Sequence, residues 1–210
     1  MTSAAFVLLT ITLAVAVGDW AAAHAGNRAL EYVCKPLTMV ALIAMALAID
    51  PHDPTVRTWF VVALAFSLVG DVFLMLPGDR FVPGLAAFLL AHVAYAIGML
   101  VDGVGAGRVV MGLVVVGAAL AVMGSALVRG LRATEPTLAG PVVAYMTVIS
   151  AMVVCAVGTG RGLTIAGAVL FYASDSLIGW GRFVRAQPCW PLAVIVTYHL
   201  GQVLLTLSLV

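Results

Sequence analysis

Two aspartates stand inside the most apolar stretches of this chain. Asp71 lies in FSLVGDVFLML, residues 66–76, and Asp175 lies in GAVLFYASDSLIGW, residues 167–180. A carboxylate at membrane depth costs roughly 2.5–3.5 kcal/mol on insertion scales, so it needs a counter-charge, a proton or water. Two such acids brought near one another supply one proton donor and one base. That equipment serves acid–base hydrolysis or a proton relay.

Further polar groups accompany them. Glu31 and Lys35 are spaced i, i+4 with the acid first, the favourable order for a helical ion pair. Lys35 then has two readings. It snorkels to the interface beside Glu31, or it turns inward to compensate an aspartate or bind a lipid phosphate. Pro36 predicts a helix start at this point, placing Lys35 at a pocket mouth. Ser67 precedes Asp71 by one turn, while Tyr172, Ser174 and Ser176 surround Asp175. His92 is followed by Tyr95, and TYHLGQ holds Tyr198, His199 and Gln202. Histidines within spans serve as interhelical hydrogen-bond groups about as often as reactive ones.

Two histidines and two aspartates raise the question of zinc. No HExxH motif or close ligand pair appears, so the expected site has neither metal nor organic cofactor. Cys34, Cys155 and Cys189 are odd in number and lack metal-type spacing; they read as small packing residues. Gly103–Gly107 has no preceding strand or GK[ST] ending and reads as a loop, not a phosphate cradle.

The elements that must position these groups are membrane spans. The 210 residues are 64% hydrophobic and 9% charged, against about 25% charged in soluble domains. A net charge of +1 gives no reason to expect a nucleic-acid partner. Segments of about 20 apolar residues occur at Ser3–Ala22, Leu30–Ile49, Trp59–Leu76, Val82–Val101, Arg108–Val128, Leu138–Val157, Leu163–Trp180 and Pro191–Leu209. DPHDP, LPGDR, DGVGAG and GTGRG punctuate them. The expected fold is all-α, a polytopic bundle of about eight transmembrane helices forming one integral-membrane domain over residues 1–210. Ala4–Val17 resembles a signal segment and AAAHA a cleavage region. No positive residue precedes the run, so an uncleaved first span is expected.

Arginine distribution predicts the orientation. Loops after the odd spans carry Arg28, Arg80, Arg129, Arg132, Arg182 and Arg185; loops after the even spans carry Arg57, Arg108 and Arg161. The positive-inside rule places the first set in the cytoplasm and both termini outside. Asp71 and Asp175 then lie roughly 7–8 Å below the cytoplasmic ends of their spans. His92, His199 and the Glu31–Lys35 pair fall in the same half, predicting a pocket that opens towards the cytoplasmic leaflet.

The ordered set EYVCKPLTM, FSLVGDVFLML, His92-x-x-Tyr95, LFYASDSLIG and TYHLGQVLL resembles the YhhN-like lysoplasmalogenase family. The resemblance implies an eight-span fold, in bacteria a plasma-membrane protein. It also implies hydrolysis of the vinyl ether bond of lysoplasmalogens to a fatty aldehyde and a glycerophospho-base. The substrate would be a lysophospholipid or other single-chain ether lipid. The family's catalytic pair maps onto Asp71 and Asp175. Lys35, Glu31, His92, Tyr95, Tyr172, Ser174, Tyr198, His199 and Gln202 become substrate-binding candidates; His199 departs from the family pattern. Two other classes remain open from the residues alone. One is a proton-coupled transporter, favoured by the similar acidic segments four spans apart. The other is a non-catalytic lipid-binding protein.

Overall fold

Polar caps set where each span starts. In the computed structural model, which describes residues 1–210, α1 (Ser3–Ala25) begins after Thr2, whose hydroxyl accepts the Ala5 N–H at 3.0 Å. α2 (Arg28–Ala48) begins after Asn27, whose side chain accepts the Leu30 N–H. Pro36 therefore lies inside α2 and does not start it, because the Asn27 cap nucleates the helix earlier. Proline is tolerated in such helices because neighbouring groups satisfy the freed backbone. α3 (Pro54–Met75) begins at Pro54 and not near Trp59. The Asp53 carboxylate accepts the Thr55 and Val56 N–H groups at 2.6 and 3.3 Å. Those hydrogen bonds, the one from Thr55 foremost, hold the Asp53 carboxyl below its ordinary value.

α4 spans Phe81–Asp102. The fifth span is one apolar segment in three parts, α5 (Ala106–Ala119), a π turn (Leu120–Gly124) and α6 (Ser125–Thr134). The wide turn rotates the helix face. α5 packs on α7 (Ala139–Thr159), whereas α6 also reaches α8 (Gly162–Phe183). α9 (Trp190–Leu207) completes eight segments long and apolar enough to cross a membrane, with no strand anywhere.

Lipid tails are as apolar as leucine, so helix association rests on close packing rather than on hydrophobic burial. α3 packs on α4, α1 on α2, α4 on α7 and α8 on α9. The last pair meets backbone to backbone. A Cβ at Gly167 would stand 2.8 Å from the Gly201 carbonyl oxygen, and one at Gly201 2.9 Å from the Gly167 oxygen. The backbone of α4, by contrast, stays clear of α8 and α9. Aromatic rings fill that gap. Phe88 meets Phe171 and Tyr198 edge-on, with centroids at 6.1 and 5.9 Å, and Phe171 meets His92 at 4.6 Å.

The two ends of the bundle differ. At the end remote from the aspartates, His52 bridges the Leu209 carbonyl (2.9 Å) and Asp102 (2.7 Å), and Arg161 closes on the other Asp102 oxygen at 2.9 Å. At the other end Arg182 lies 4.1 Å over the Phe81 ring and bonds both Asp79 and Glu135.

Candidate active site

α3 delivers Asp71 to the interior because Gly70 lets α4 approach. A Cβ there would lie 2.6 Å from the Phe88 ring. Asp71 is 1% exposed and both its oxygens are committed. Lys35 Nζ lies 3.0 Å from Oδ1, and Tyr198 donates its hydroxyl to Oδ2 at 2.6 Å. Lys35 thus turns inward, leaving Glu31 without an ion-pair partner. In low dielectric a buried carboxylate holds an ammonium far more strongly than an interfacial one does.

Asp175 sits one turn further from its helix end than Asp71 does. Tyr145 of α7 donates a short hydrogen bond to its Oδ2. His92 Nε2 stands 3.6 Å from the same oxygen. The His92 Nδ1 lies 2.5 Å from the Phe88 carbonyl oxygen, which only accepts, so Nδ1 carries the hydrogen. Nε2 of the neutral ring is therefore a lone pair aimed at Asp175, with no hydrogen-bond partner of its own. No hydrogen bond joins Asp71 to Asp175. The side chains of Tyr198, Phe171 and His92 lie in sequence between them.

Asp175 forms the polar end of an apolar cavity of about 670 Å³. Its walls include Leu85, Phe88, Tyr145, Ile149 and Tyr172. A recess of about 310 Å³ reaching the π turn shares Leu127, Met146, Tyr172 and Ser176 with it. On the other side, Leu74 and Phe81 separate it from a polar cavity of about 880 Å³ that holds Arg28, Arg80 and Arg182.

The remaining predicted residues divide. Tyr95 donates to Gln202 Oε1 at 2.5 Å and ties α4 to α9. Ser174 makes no hydrogen bond to Asp175; its hydroxyl turns to the Val194 carbonyl of α9 at 3.0 Å. His199 faces α1, where the Trp20 indole donates to its Nδ1 at 3.2 Å and Asp19 Oδ2 lies 4.0 Å from Nε2. No three His, Cys, Asp or Glu side chains converge on one point. Two residues were not foreseen. Tyr145 stands alone in an apolar span with no pattern to mark it. Asp19 was marked, since Gly18-Asp19 repeats the Gly70-Asp71 dipeptide in a similar run.

The chain is 34% identical to human lysoplasmalogenase TMEM86B over 70% of its own length and 61% of that protein. It is 35% identical to a lysoplasmalogenase of Mycobacterium bovis, over 80% of this chain and 66% of the relative. Rat lysoplasmalogenase TMEM86B is 32% identical over 83% of this chain and 70% of its own length. The chain thus spans less than two thirds of the human and mycobacterial relatives. No solved structure matches. Residues 30–209, which contain Lys35, Asp71, His92, Tyr145, Asp175 and Tyr198, match the model of the YhhN family, and the chain belongs to that family.

Proposed function

We propose that the protein is a membrane-embedded hydrolase that cleaves the vinyl ether bond of lysoplasmalogens. The observation that carries this reading is Asp175, held between Tyr145 and the His92 lone pair at the polar end of an apolar cavity. The names of the human, rat and mycobacterial relatives support the same activity.

The chemistry follows from the two environments. Asp71 faces an ammonium and is the ionised acid. Asp175 faces a phenol and an imidazole lone pair, an arrangement suited to sharing one proton with His92. In this mechanism Asp175 donates that proton to the vinyl carbon distal to the ether oxygen. The carbon attached to oxygen becomes an oxocarbenium ion, opposed by the new Asp175 carboxylate. Water adds to it and returns a proton to the Asp175–His92 pair. The resulting hemiacetal collapses, its hydroxyl proton passing to the leaving oxygen, to release a fatty aldehyde and the glycerophospho-base. Paired carboxylates divide acid and anion roles similarly in glycoside hydrolysis. Tyr145 orients the acid. Asp71 supplies a fixed negative charge across the aromatic layer.

Incubation of the purified protein with a lysoplasmalogen and with the matching acyl lysophospholipid tests the reading. Aldehyde is expected from the first and no fatty acid from the second; fatty acid release without aldehyde overturns it. Chelator-stripped protein retains the activity under this mechanism, and restoration only by zinc would contradict it.

The arginine-rich end that carries the site faces the cytoplasm in this proposal, with both termini outside and the protein in a bacterial inner membrane. Cys189 is exposed in the turn between α8 and α9 at that end. A membrane-impermeant maleimide is expected to label it in inverted vesicles but not in intact cells. The reverse pattern inverts the topology.

A further inference from the structure

Five arginines at the site-bearing end make no ion pair or side-chain hydrogen bond: Arg28, Arg80, Arg129, Arg132 and Arg185. Arg28 and Arg80 alone among them line the polar cavity of about 880 Å³ between the start of α2 and the α3–α4 turn. Asp79 and Arg182 share that cavity and neutralise each other across 2.7 Å, with Glu135 as a second partner of Arg182. The uncommitted charge of the cavity is therefore cationic. Next to it, an adjoining recess of about 420 Å³ shares Arg28, Tyr32 and Leu74 and contains Glu31, an acid with no ion-pair partner. Lys35, the other cation of that recess, is already paired with Asp71. Leu74 and Phe81 line both the polar cavity and the apolar cavity that ends at Asp175.

We infer that this polar cavity is a subsite for the zwitterionic phosphodiester headgroup of a single-chain lipid, with Arg28 and Arg80 on the phosphate and Glu31 facing the ammonium. The inference rests on the hydrolase reading for its choice of a lipid. Arginine forks suit phosphate oxygens, and charge-assisted hydrogen bonds are the strong ones. The order of chemistry along the path also fits. A phosphate at the arginines and a glycerol beside Leu74 and Phe81 leave the ether bond and its chain within the apolar cavity that Asp175 lines.

Binding of a saturated ether lipid tests this without turnover. The probes are 1-O-alkyl-glycero-3-phosphoethanolamine, the 1-O-alkylglycerol of equal chain length, and free glycerophosphoethanolamine, each titrated against the full chain in nanodiscs. The Arg28→Ala/Arg80→Ala double variant is expected to weaken the phosphate-bearing lipid by about tenfold or more and the alkylglycerol by less than about twofold. The double variant Arg132→Ala/Arg185→Ala, at the same membrane face but outside the cavity, is expected to leave both affinities unchanged. Equal losses for the two lipids, no loss, or the same loss in the Arg132/Arg185 control overturns the subsite. Tighter binding of free glycerophosphoethanolamine than of the lipid would make it a site for a soluble phosphodiester and overturn the lipid assignment. Loss of the hydrolase reading appears separately, as wild-type protein that binds the ether lipid yet releases no aldehyde from a lysoplasmalogen.

Discussion

The Nε2 of His92 stands 3.6 Å from Oδ2 of Asp175, while its Nδ1 is committed to the Phe88 carbonyl. One ring nitrogen is thereby fixed as a donor to the backbone, and the other is left to deal with the carboxyl group. Replacing His92 by Phe is expected to slow aldehyde release by about 10²- to 10³-fold with little change in KM. Tyr145→Phe, which removes only a donor to Asp175, is expected to slow it by about tenfold. Steady-state kinetics on both variants checks the order; a His92→Phe enzyme at wild-type rate removes the imidazole from the mechanism.

The two aspartates differ in what their loss leaves behind. Asp71→Asn strands the Lys35 ammonium, whose side chain is 19% exposed. Removing one partner of a buried pair costs about 3–5 kcal/mol. Asp175→Asn leaves a phenol facing an amide, at about 1–2 kcal/mol. Both variants are expected to lose turnover, but Asp71→Asn should melt at the lower temperature. Adding Lys35→Met to Asp71→Asn should recover much of that stability and none of the activity. Equal melting temperatures for the two single variants would show that the Lys35–Asp71 pair is not the tie described.

The α8–α9 contact makes a separate prediction. Gly167→Ala and Gly201→Ala each force a methyl group against a carbonyl oxygen and should destabilise by about 1–3 kcal/mol. Gly117→Ala, where an added Cβ meets nothing within 4 Å, should be neutral or stabilise by about 0.5–1 kcal/mol. Thermal unfolding of the three variants in one detergent decides; a silent Gly167→Ala would mean that the helices are not in backbone contact.

Acid should loosen the polar mouth first. The Arg182 hydrogen bonds, with the Phe81 N–H, hold the Asp79 carboxyl below its ordinary value. A lowered value contributes stability that is complete above the ordinary carboxylate range and is lost as pH falls through the lowered one. The melting-temperature gap between wild type and Asp79→Asn is therefore expected to hold from about pH 7 to about pH 5 and to close below about pH 4. A gap that widens on acidification contradicts the pairing.

Much of this was legible in the sequence, for identifiable reasons. Spans are written in length and hydropathy, so all eight helices stand near their expected places. Their ends were less legible, because caps decide them: Asp53 starts α3 early, and Asn27 overrides the start suggested by Pro36. The acids were legible as exceptions in apolar runs. Their partners were harder. The i, i+4 spacing points Lys35 at Glu31, but Asp71 is 1% exposed and draws the ammonium inward. Tyr145 could not be found at all, because a tyrosine within a span carries no signal until another helix brings a carboxylate to it.

The His52–Asp102–Arg161 tie gives the bundle a mechanical polarity. It joins the α2–α3 turn, the end of α4, the start of α8 and the tail of α9 around a carboxylate that is 10% exposed. The Arg182–Asp79 tie at the opposite end holds a carboxylate that is 65% exposed, where solvent screens it. One end is thus a pivot and the other a loosely latched jaw. Any opening about that pivot is widest at the far end, beside Arg182 and Asp79, where the polar cavity lies.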